Sequence, residues 1–193
     1  MKKVFDTREY LEKAWTIVEA LTIEGDNQNR FKGAMLYSTL NICDGMQILI
    51  TNRNFVSANI LFRSLFEYLF RSYWLSRLAS GLELDSAMNN DEWPNTKTIH
   101  SLIKGKSDLV DLLADEKLKI NNILHSYIHG GNQNPLSNFS PDNIIAPNAP
   151  ESEVSYLLGI LQAIVFVILL EFVHISRSEE ARRKVMKLYD ALD

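Results

Sequence analysis

Two histidines one helical turn apart, His125 and His129, are the residues whose types and spacing most directly suggest chemistry in this sequence. Residues four apart lie one above the other on the same face of a helix, so the two imidazoles are predicted to be neighbours. Gly130 and Gly131 follow at once and predict the end of that helix, because glycine readily adopts the left-handed conformation of a C-cap. Imidazole can transfer protons near neutral pH or bind a metal. We therefore expect a functional site at this helix end.

A zinc site is one possible use of the pair, since two histidines spaced by four often supply two zinc ligands from one helix. The glutamate that follows the first histidine in the zincin motif is Ser126 here, and neither a cysteine nor an acidic cluster nearby supplies a third ligand. The sequence therefore predicts no metal and no other cofactor. A structural role also stays open for His129, because the negative end of the helix dipole favours a protonated histidine.

A second set of charged residues follows a helical spacing of four within residues 55–78, a segment that is apolar over most of its circumference. Arg63, Glu67 and Arg71 form this stripe. Unpaired charges are costly away from water, so Glu67 is predicted to pair with both arginines. Two interpretations stay open for the stripe. It is either a polar network that fixes helix register or a dimer interface, or a floor that binds an anion or phosphate through the arginine forks.

The elements that must position these side chains are all predicted to be helices. Hydrophobic residues recur at helical spacing along most of the chain, and we find neither an internal repeat nor a long strand-like alternation. We expect an all-α helical bundle of the up-and-down type with extra peripheral helices, in a single domain over residues 1–193. The predicted helices comprise one begun by a capping box at Asp6, one with an apolar seam from 31 to 49, a central one at 55–78, short pieces at 98–104 and 108–113, one at 115–127, and one capped by Asn148 with Pro150 in its first turn.

Two segments are predicted to be irregular. Residues 79–96 are polar, and residues 130–149 form a long connection rich in asparagine and proline. Loops of that length are uncommon unless they are functional or mobile.

The most apolar segment, residues 154–170, is nearly long enough to cross a bilayer when it is extended to residue 175. Gln162, Glu171 and His174 interrupt it, and the preceding helices are amphipathic like those of soluble bundles. We expect a core helix and no membrane span. Cys43 is the only cysteine, which excludes an intrachain disulfide and favours the cytoplasm.

Global charge and known motifs exclude several classes of protein. The net charge of -4 provides no general basic field, so a protein that coats nucleic acid without sequence preference is not expected. A P-loop, a dinucleotide fingerprint and a nucleophile elbow are all missing from the sequence.

Part of the chain resembles an uncharacterised family of bacterial helical proteins that carries the pattern Ser-Tyr-x-His-Gly-Gly. The matching residues are Ser126, Tyr127, His129, Gly130 and Gly131, together with residues 63–75 and the helix start at 147–154. More distantly, the layout is similar to the HEPN superfamily, whose members are helical bundles, often dimeric, of toxin-antitoxin, abortive-infection and phage-defence systems. Active HEPN proteins are metal-independent ribonucleases with an arginine four to six residues before a histidine. Here Lys119 stands in the place of that arginine, before His125.

We therefore expect a helical module of bacterial defence or stress type that acts through self-association and partner binding. A homodimer is expected because residues 55–78 and 154–170 offer more apolar surface than a bundle of this size easily encloses. A protein partner or RNA is the expected ligand.

The alternative is a HEPN-like endoribonuclease in which His125 or His129 is the acid or base and Arg63, Arg71 or Lys119 steadies the phosphate. A small-molecule pocket between the central helix and the histidine segment also stays open. Whichever of these functions the protein has, we expect at least one of His125 and His129 to lie within hydrogen-bond or single-water reach of the charged stripe on residues 63–71. Glu67 is the expected partner of that histidine.

Overall fold

The structure, a computed structural model, describes residues 2–129, 131–136, 138 and 145–191. Every regular element in these ranges is a helix, which confirms the all-α prediction. The helices are α1 (Lys2–Glu19), α2 (Asn27–Thr51), α3 (Phe55–Arg77), α4 (Gly81–Asn90), α5 (Thr96–Ile103), α6 (Asp108–Ile128), α7 (Gln133–Leu136), α8 (Glu151–Ser176) and α9 (Glu179–Asp190).

The α2–α3 hairpin is the first structural unit of the bundle. Asp26 caps α2 by accepting from the Asn29 amide at 2.9 Å, and Asn54 caps α3 after a short polar link. A link of this length folds α3 back along α2. Inside the interface, the Thr39 and Ser72 hydroxyl oxygens lie 2.9 Å apart.

The central position predicted for α3 is also confirmed. This helix packs against α2, α5, α6 and α8. Its aromatic residues Phe62, Phe66 and Phe70 are fully buried, with successive ring centroids 5.1 and 5.9 Å apart. Replacing any one of them by alanine is expected to lower the free energy of unfolding by about 3–5 kcal/mol.

The apolar helix α8 is enclosed by α1, α2, α3, α6 and α9. Its length and a mean hydropathy of 2.4 over an 18-residue window would allow it to cross a membrane, and 72% of that window is buried inside the bundle. Gln162 is satisfied there by donating to the Thr7 hydroxyl at 3.1 Å. Because α8 is covered, the apolar surface that led us to expect a dimer is largely used within one chain.

Tertiary packing extends α1 beyond its predicted start. Asp6 lies inside the helix and is not its N-cap. Val4 packs against the core, and its carbonyl accepts a hydrogen bond from Gln47 Nε2 at 3.2 Å. These contacts hold the turn before Asp6 in helical form, so the local capping signal is overridden.

The region predicted to be irregular at 79–96 contains α4 and the start of α5. Ser80 and Glu83 form a capping box, and the hydrogen bond from the Ser80 amide lowers the pKa of the Glu83 carboxyl. Leu84 and Ala87 anchor this otherwise polar helix to the core.

Two further boundaries differ from the prediction. The helix α6 continues through Ala114, where two pieces were expected. Pro150, without a side-chain cap, precedes α8 in place of Asn148. Arg177 ends α8 in the left-handed conformation at φ 54°, and Ser178 then caps the separate helix α9.

Candidate functional site

The two histidines lie together at the end of α6, as their spacing predicted. Their ring centroids are 4.2 Å apart, and both side chains are exposed. The helix closes with a hydrogen bond from the His129 amide to the His125 carbonyl at 3.1 Å and another from the Gly131 amide to the Ser126 carbonyl at 2.8 Å. The second bond belongs to the Schellman type of C-cap.

Gly131 is required at this cap because of close packing. A Cβ atom at this position would collide with Ser126 Oγ and would lie 3.1 Å from Ser126 Cβ. The cap role predicted for Gly130 lies outside the described residues. Tyr127 is buried and lines a cavity of 150 Å³ with residues of α3 and α8, so it anchors the helix end to the bundle.

The predicted contact between these histidines and the charged stripe of α3 is wrong. Among the described residues, no hydrogen bond or ion pair joins His125 or His129 to the stripe. The reason is the phase of α6, whose buried row ends at Leu124 and Tyr127. His125 follows Leu124 by about 100° around the helix axis, which turns its ring away from the core.

Lys117 is an α6 residue that interacts electrostatically with the stripe. It is 9% exposed, and its Nζ lies 3.3 Å from Nε2 of His100 on α5 and 5.5 Å from the ring centroid of Phe70. Glu67 and Arg63 are the charged groups that act on it. Lys117 and His100 thus occupy the place where the sequence led us to expect His125 or His129.

Burial shapes the protonation of this pair. It lowers the pKa of Lys117, an effect that Glu67 opposes and Arg63 reinforces. Burial also lowers the pKa of His100, and the nearby Lys117 cation lowers it further. His100 is therefore neutral at neutral pH, and its Nε2 accepts the hydrogen bond, since an ammonium group only donates.

The stripe itself lies at the rim of the protein and is not buried. Arg63 Nε and a Glu67 carboxylate oxygen are 3.6 Å apart, with side-chain exposures of 37% and 36%. Arg71 instead lies over the Trp93 ring, 5.1 Å from its centroid, and has no ion pair with Glu67 in the described structure. The predicted pairing of Glu67 with both arginines is therefore correct for Arg63 only.

Lys119, predicted to steady a phosphate, is held elsewhere. It forms an ion pair with Glu116, which also accepts a hydrogen bond from the Tyr156 hydroxyl. The Lys119 hydrogen bond lowers the pKa of Glu116, while burial and then Glu116 raise the pKa of Tyr156 to about 12. These contacts join α6 to α8 and do not bring Lys119 to the stripe.

A polar cleft between α2, α3 and α8 was missed at the level of sequence. Its volume is 640 Å³, and its lining includes Lys32, Ser76 and His174. Beside it, Glu171 is 3% exposed and accepts hydrogen bonds from the Ser76 hydroxyl and from Arg77 Nε, the latter at 2.7 Å. Burial lowers the pKa of His174, and the nearby Arg77 cation acts in the same direction.

Comparison with known proteins places the chain in a family. Residues 38–193 match the Family of unknown function (DUF6988). The chain belongs to this family. The match confirms the prediction that the chain belongs to an uncharacterised family. The matched residues include the Lys117–His100 pair, the charged stripe and both histidines of α6. No curated protein and no solved structure matches the chain.

Proposed function

We propose that this member of the family is a helical module of bacterial defence or stress type that self-associates and then binds a protein partner or RNA. Copies meet through the outer side of the α2–α3 hairpin, which we call the hairpin face. Its residues are Met35, Ser38, Ile42, Gly45 and Leu49 of α2 and Ile60, Leu61, Ser64 and Tyr68 of α3. The distant similarity to HEPN proteins, many of them dimeric, is part of this proposal.

The row of residues on α2 is the observation that carries the proposal. Its members follow one another at alternating steps of three and four, and each is partly buried. Met35, Ile42 and Leu49 touch the core with one side of the side chain and keep another side accessible. That spacing is the heptad pattern by which helices pair with one another. The helix buries a separate row, including Leu36, Leu40 and Cys43, in the core. The outer row is therefore distinct from the fully buried row, and the accessible part of its apolar side chains is available to a partner.

The α3 part of the face adjoins this row. The Thr39–Ser72 contact marks where the two helices touch, and helical geometry then places Leu61, Ser64 and Tyr68 on the same outer side as the α2 row. Tyr68 is 38% exposed. Arg63, Glu67 and Arg71 border the face. An apolar centre with a charged border is typical of a protein interface.

Gly45 offers a precise way to test this proposal, because a Cβ added there meets no atom within 4 Å. Gly45→Glu should therefore leave the fold of one chain intact while placing a charge in the centre of the hairpin face. Asn41→Glu is the matched control, since it adds the same charge to an exposed position of α2 outside the row.

Sedimentation at micromolar concentration is the measurement. The wild type and Asn41→Glu should sediment as dimers and Gly45→Glu as a monomer, with similar circular dichroism for all three. A wild-type monomer, or a Gly45→Glu variant that remains dimeric, would exclude the hairpin face as the interface.

A metal-independent endoribonuclease is the second candidate, favoured by the exposed pair of imidazoles at the end of α6. Two adjacent imidazoles that solvent can reach are suited to act as acid and base in phosphodiester cleavage. The test is incubation with total RNA in the presence of a chelator. Cleavage should disappear in His129→Ala and persist in His174→Ala, a histidine of the separate polar cleft. Failure of concentrated wild-type protein to cleave RNA would rule this function out.

A further inference from the structure

The ammonium group of Lys117 has more donors than the described chain has acceptors for it. An ammonium carries three N–H donors. In the described residues, its one hydrogen-bond partner is His100 Nε2, at 3.3 Å. Glu67, the carboxylate whose charge acts on Lys117, forms its ion pair with Arg63. A cation that is only 9% exposed is therefore incompletely satisfied.

Arg63 also retains free binding capacity. Only its Nε is paired, at 3.6 Å from the Glu67 carboxylate, which leaves the terminal nitrogens of the guanidinium fork available. Glu67 thus pairs with Arg63 and acts on Lys117 only through its electrostatic field. The same side of α3 presents a further cation, Arg71, stacked on Trp93. Lys117 and Arg63 are two cations against the single carboxylate that acts on Lys117, although the whole chain is acidic.

We infer that Lys117, His100 and Arg63 form a binding site for a phosphoryl group, either as free phosphate or as a phosphate monoester. A doubly charged tetrahedral anion matches two cations better than a carboxylate does, and its oxygens accept from both the amine and the arginine fork.

The apolar floor strengthens this site. Phe70 lies under Lys117, and its ring meets His100 edge-on, with centroids 4.7 Å apart and an angle of 74° between the planes. This contact fixes the imidazole from one side and excludes water there. A partly dry environment strengthens charge-assisted hydrogen bonds to an incoming anion.

Glu67 is the competitor that keeps the site closed to weak anions. Its carboxylate occupies Arg63, so a phosphoryl group must displace it to use the guanidinium fork. Replacing Glu67 by glutamine removes the competing charge while preserving the shape of the side chain. Phosphate affinity should therefore rise, a gain that a purely structural role for the cluster would not produce.

Binding should also change the protonation of His100. Lys117 is the charged group that acts on His100, and Glu67 and Arg63 of α3 act in turn on Lys117. The Glu67 carboxylate is already paired with Arg63, so this cluster supplies no unshared negative charge. A bound phosphoryl group would supply one, so the pKa of His100 should rise on binding. Imidazole NMR of the wild type, titrated with and without phosphate, measures this shift without any mutation.

Calorimetric titration with inorganic phosphate tests the site itself. Lys117→Met nearly keeps the length of the side chain and removes the charge, and an apolar group at this buried position carries no desolvation penalty. This variant should bind phosphate about tenfold or more weakly, the usual effect of losing a charge-assisted hydrogen bond. Lys119→Met, the same change on the exposed side of α6, should bind like the wild type, and Glu67→Gln should bind more tightly.

Equal phosphate affinity in Lys117→Met and Lys119→Met would overturn the assignment, as would a His100 pKa that does not respond to phosphate. A parallel titration with a nucleoside monophosphate distinguishes the source of the group. Tighter binding than inorganic phosphate, lost in Lys117→Met, would identify a phosphate monoester. Equal binding of the two would identify free phosphate.

Discussion

Glu171 of α8 accepts a hydrogen bond from Arg77 Nε of α3 at 2.7 Å, and the carboxylate is almost completely buried while the arginine is one-third exposed. The Ser76 hydroxyl donates to the same carboxylate oxygen. This contact ties together the C-terminal turns of the two most apolar helices of the bundle.

Removing one partner should therefore be costly. Arg77→Leu leaves the Glu171 carboxylate buried without its cation and is expected to destabilise the protein by about 3 kcal/mol. The double variant Arg77→Leu with Glu171→Leu should recover most of that loss, because no unpaired charge remains. Urea unfolding of the two single variants and the double variant measures the coupling. A double variant whose loss equals the sum of the single losses would contradict this account.

The hydroxyl of Tyr10 should be dispensable. Within the described chain, this buried oxygen has no hydrogen-bond partner, and burial raises the pKa of the phenol. Tyr10→Phe is expected to leave stability unchanged or raise it by about 1 kcal/mol. Tyr73→Phe is the comparison, since the Tyr73 hydroxyl donates to the Lys106 carbonyl and its removal should lower stability. A clear loss of stability in Tyr10→Phe would reveal a partner for this hydroxyl.

Gly131→Ala should destabilise the end of α6. The added methyl group collides with Ser126, and overpacking of this kind costs about 1–3 kcal/mol. Gly159→Ala makes the same chemical change in α8, where a Cβ meets nothing within 4 Å. It should stabilise the protein by about 1 kcal/mol, since alanine is the better helix former. Thermal unfolding compares the two variants, and a similar response in both would show that the cap does not depend on the close approach to Ser126.

His100 should make stability fall in mildly acidic solution. Its folded-state pKa lies below the ordinary value of 6.5, so the unfolded chain binds a proton more readily than the folded protein does. The contribution of this histidine is complete above pH 6.5 and is lost as pH falls from there towards the folded-state pKa. Melting temperatures between about pH 5 and 8 test this.

His100→Gln should show a shallower loss of melting temperature in acid than the wild type. His174 has a pKa lowered in the same direction and is unchanged in this variant, so the difference between the two proteins isolates His100. Identical pH profiles would mean that His100 is readily protonated in the folded state.

The sequence was sufficient for the fold class, because hydrophobic residues recur at helical spacing, and for the central position of α3, because residues 55–78 are apolar over most of their circumference. It was not sufficient for the phase of α6. The prediction divided that helix at Ala114, so the buried row from Val110 to Tyr127 was not followed across the division. A continuous row would have placed Lys117 in the core and His125 outside it.

The missed site residues have signals that are visible only after the fold is known. Lys117 stands between Leu113 and Ile120 in a row of buried positions, which makes it the one lysine of α6 that must lie beneath the surface. His100 belongs to the short helix α5, and its approach to Lys117 depends on the packing of α5 and α6 on α3. No local pattern contains that information.

The position of α8 also determines when the chain can fold during synthesis. Helices α1, α2, α3 and α6 are made before α8, yet each of them packs against it. On the ribosome, the first 150 residues must therefore expose the apolar surfaces that α8 later covers. Until α8 has left the exit tunnel, the nascent chain is therefore expected to be prone to aggregation and to benefit from chaperones.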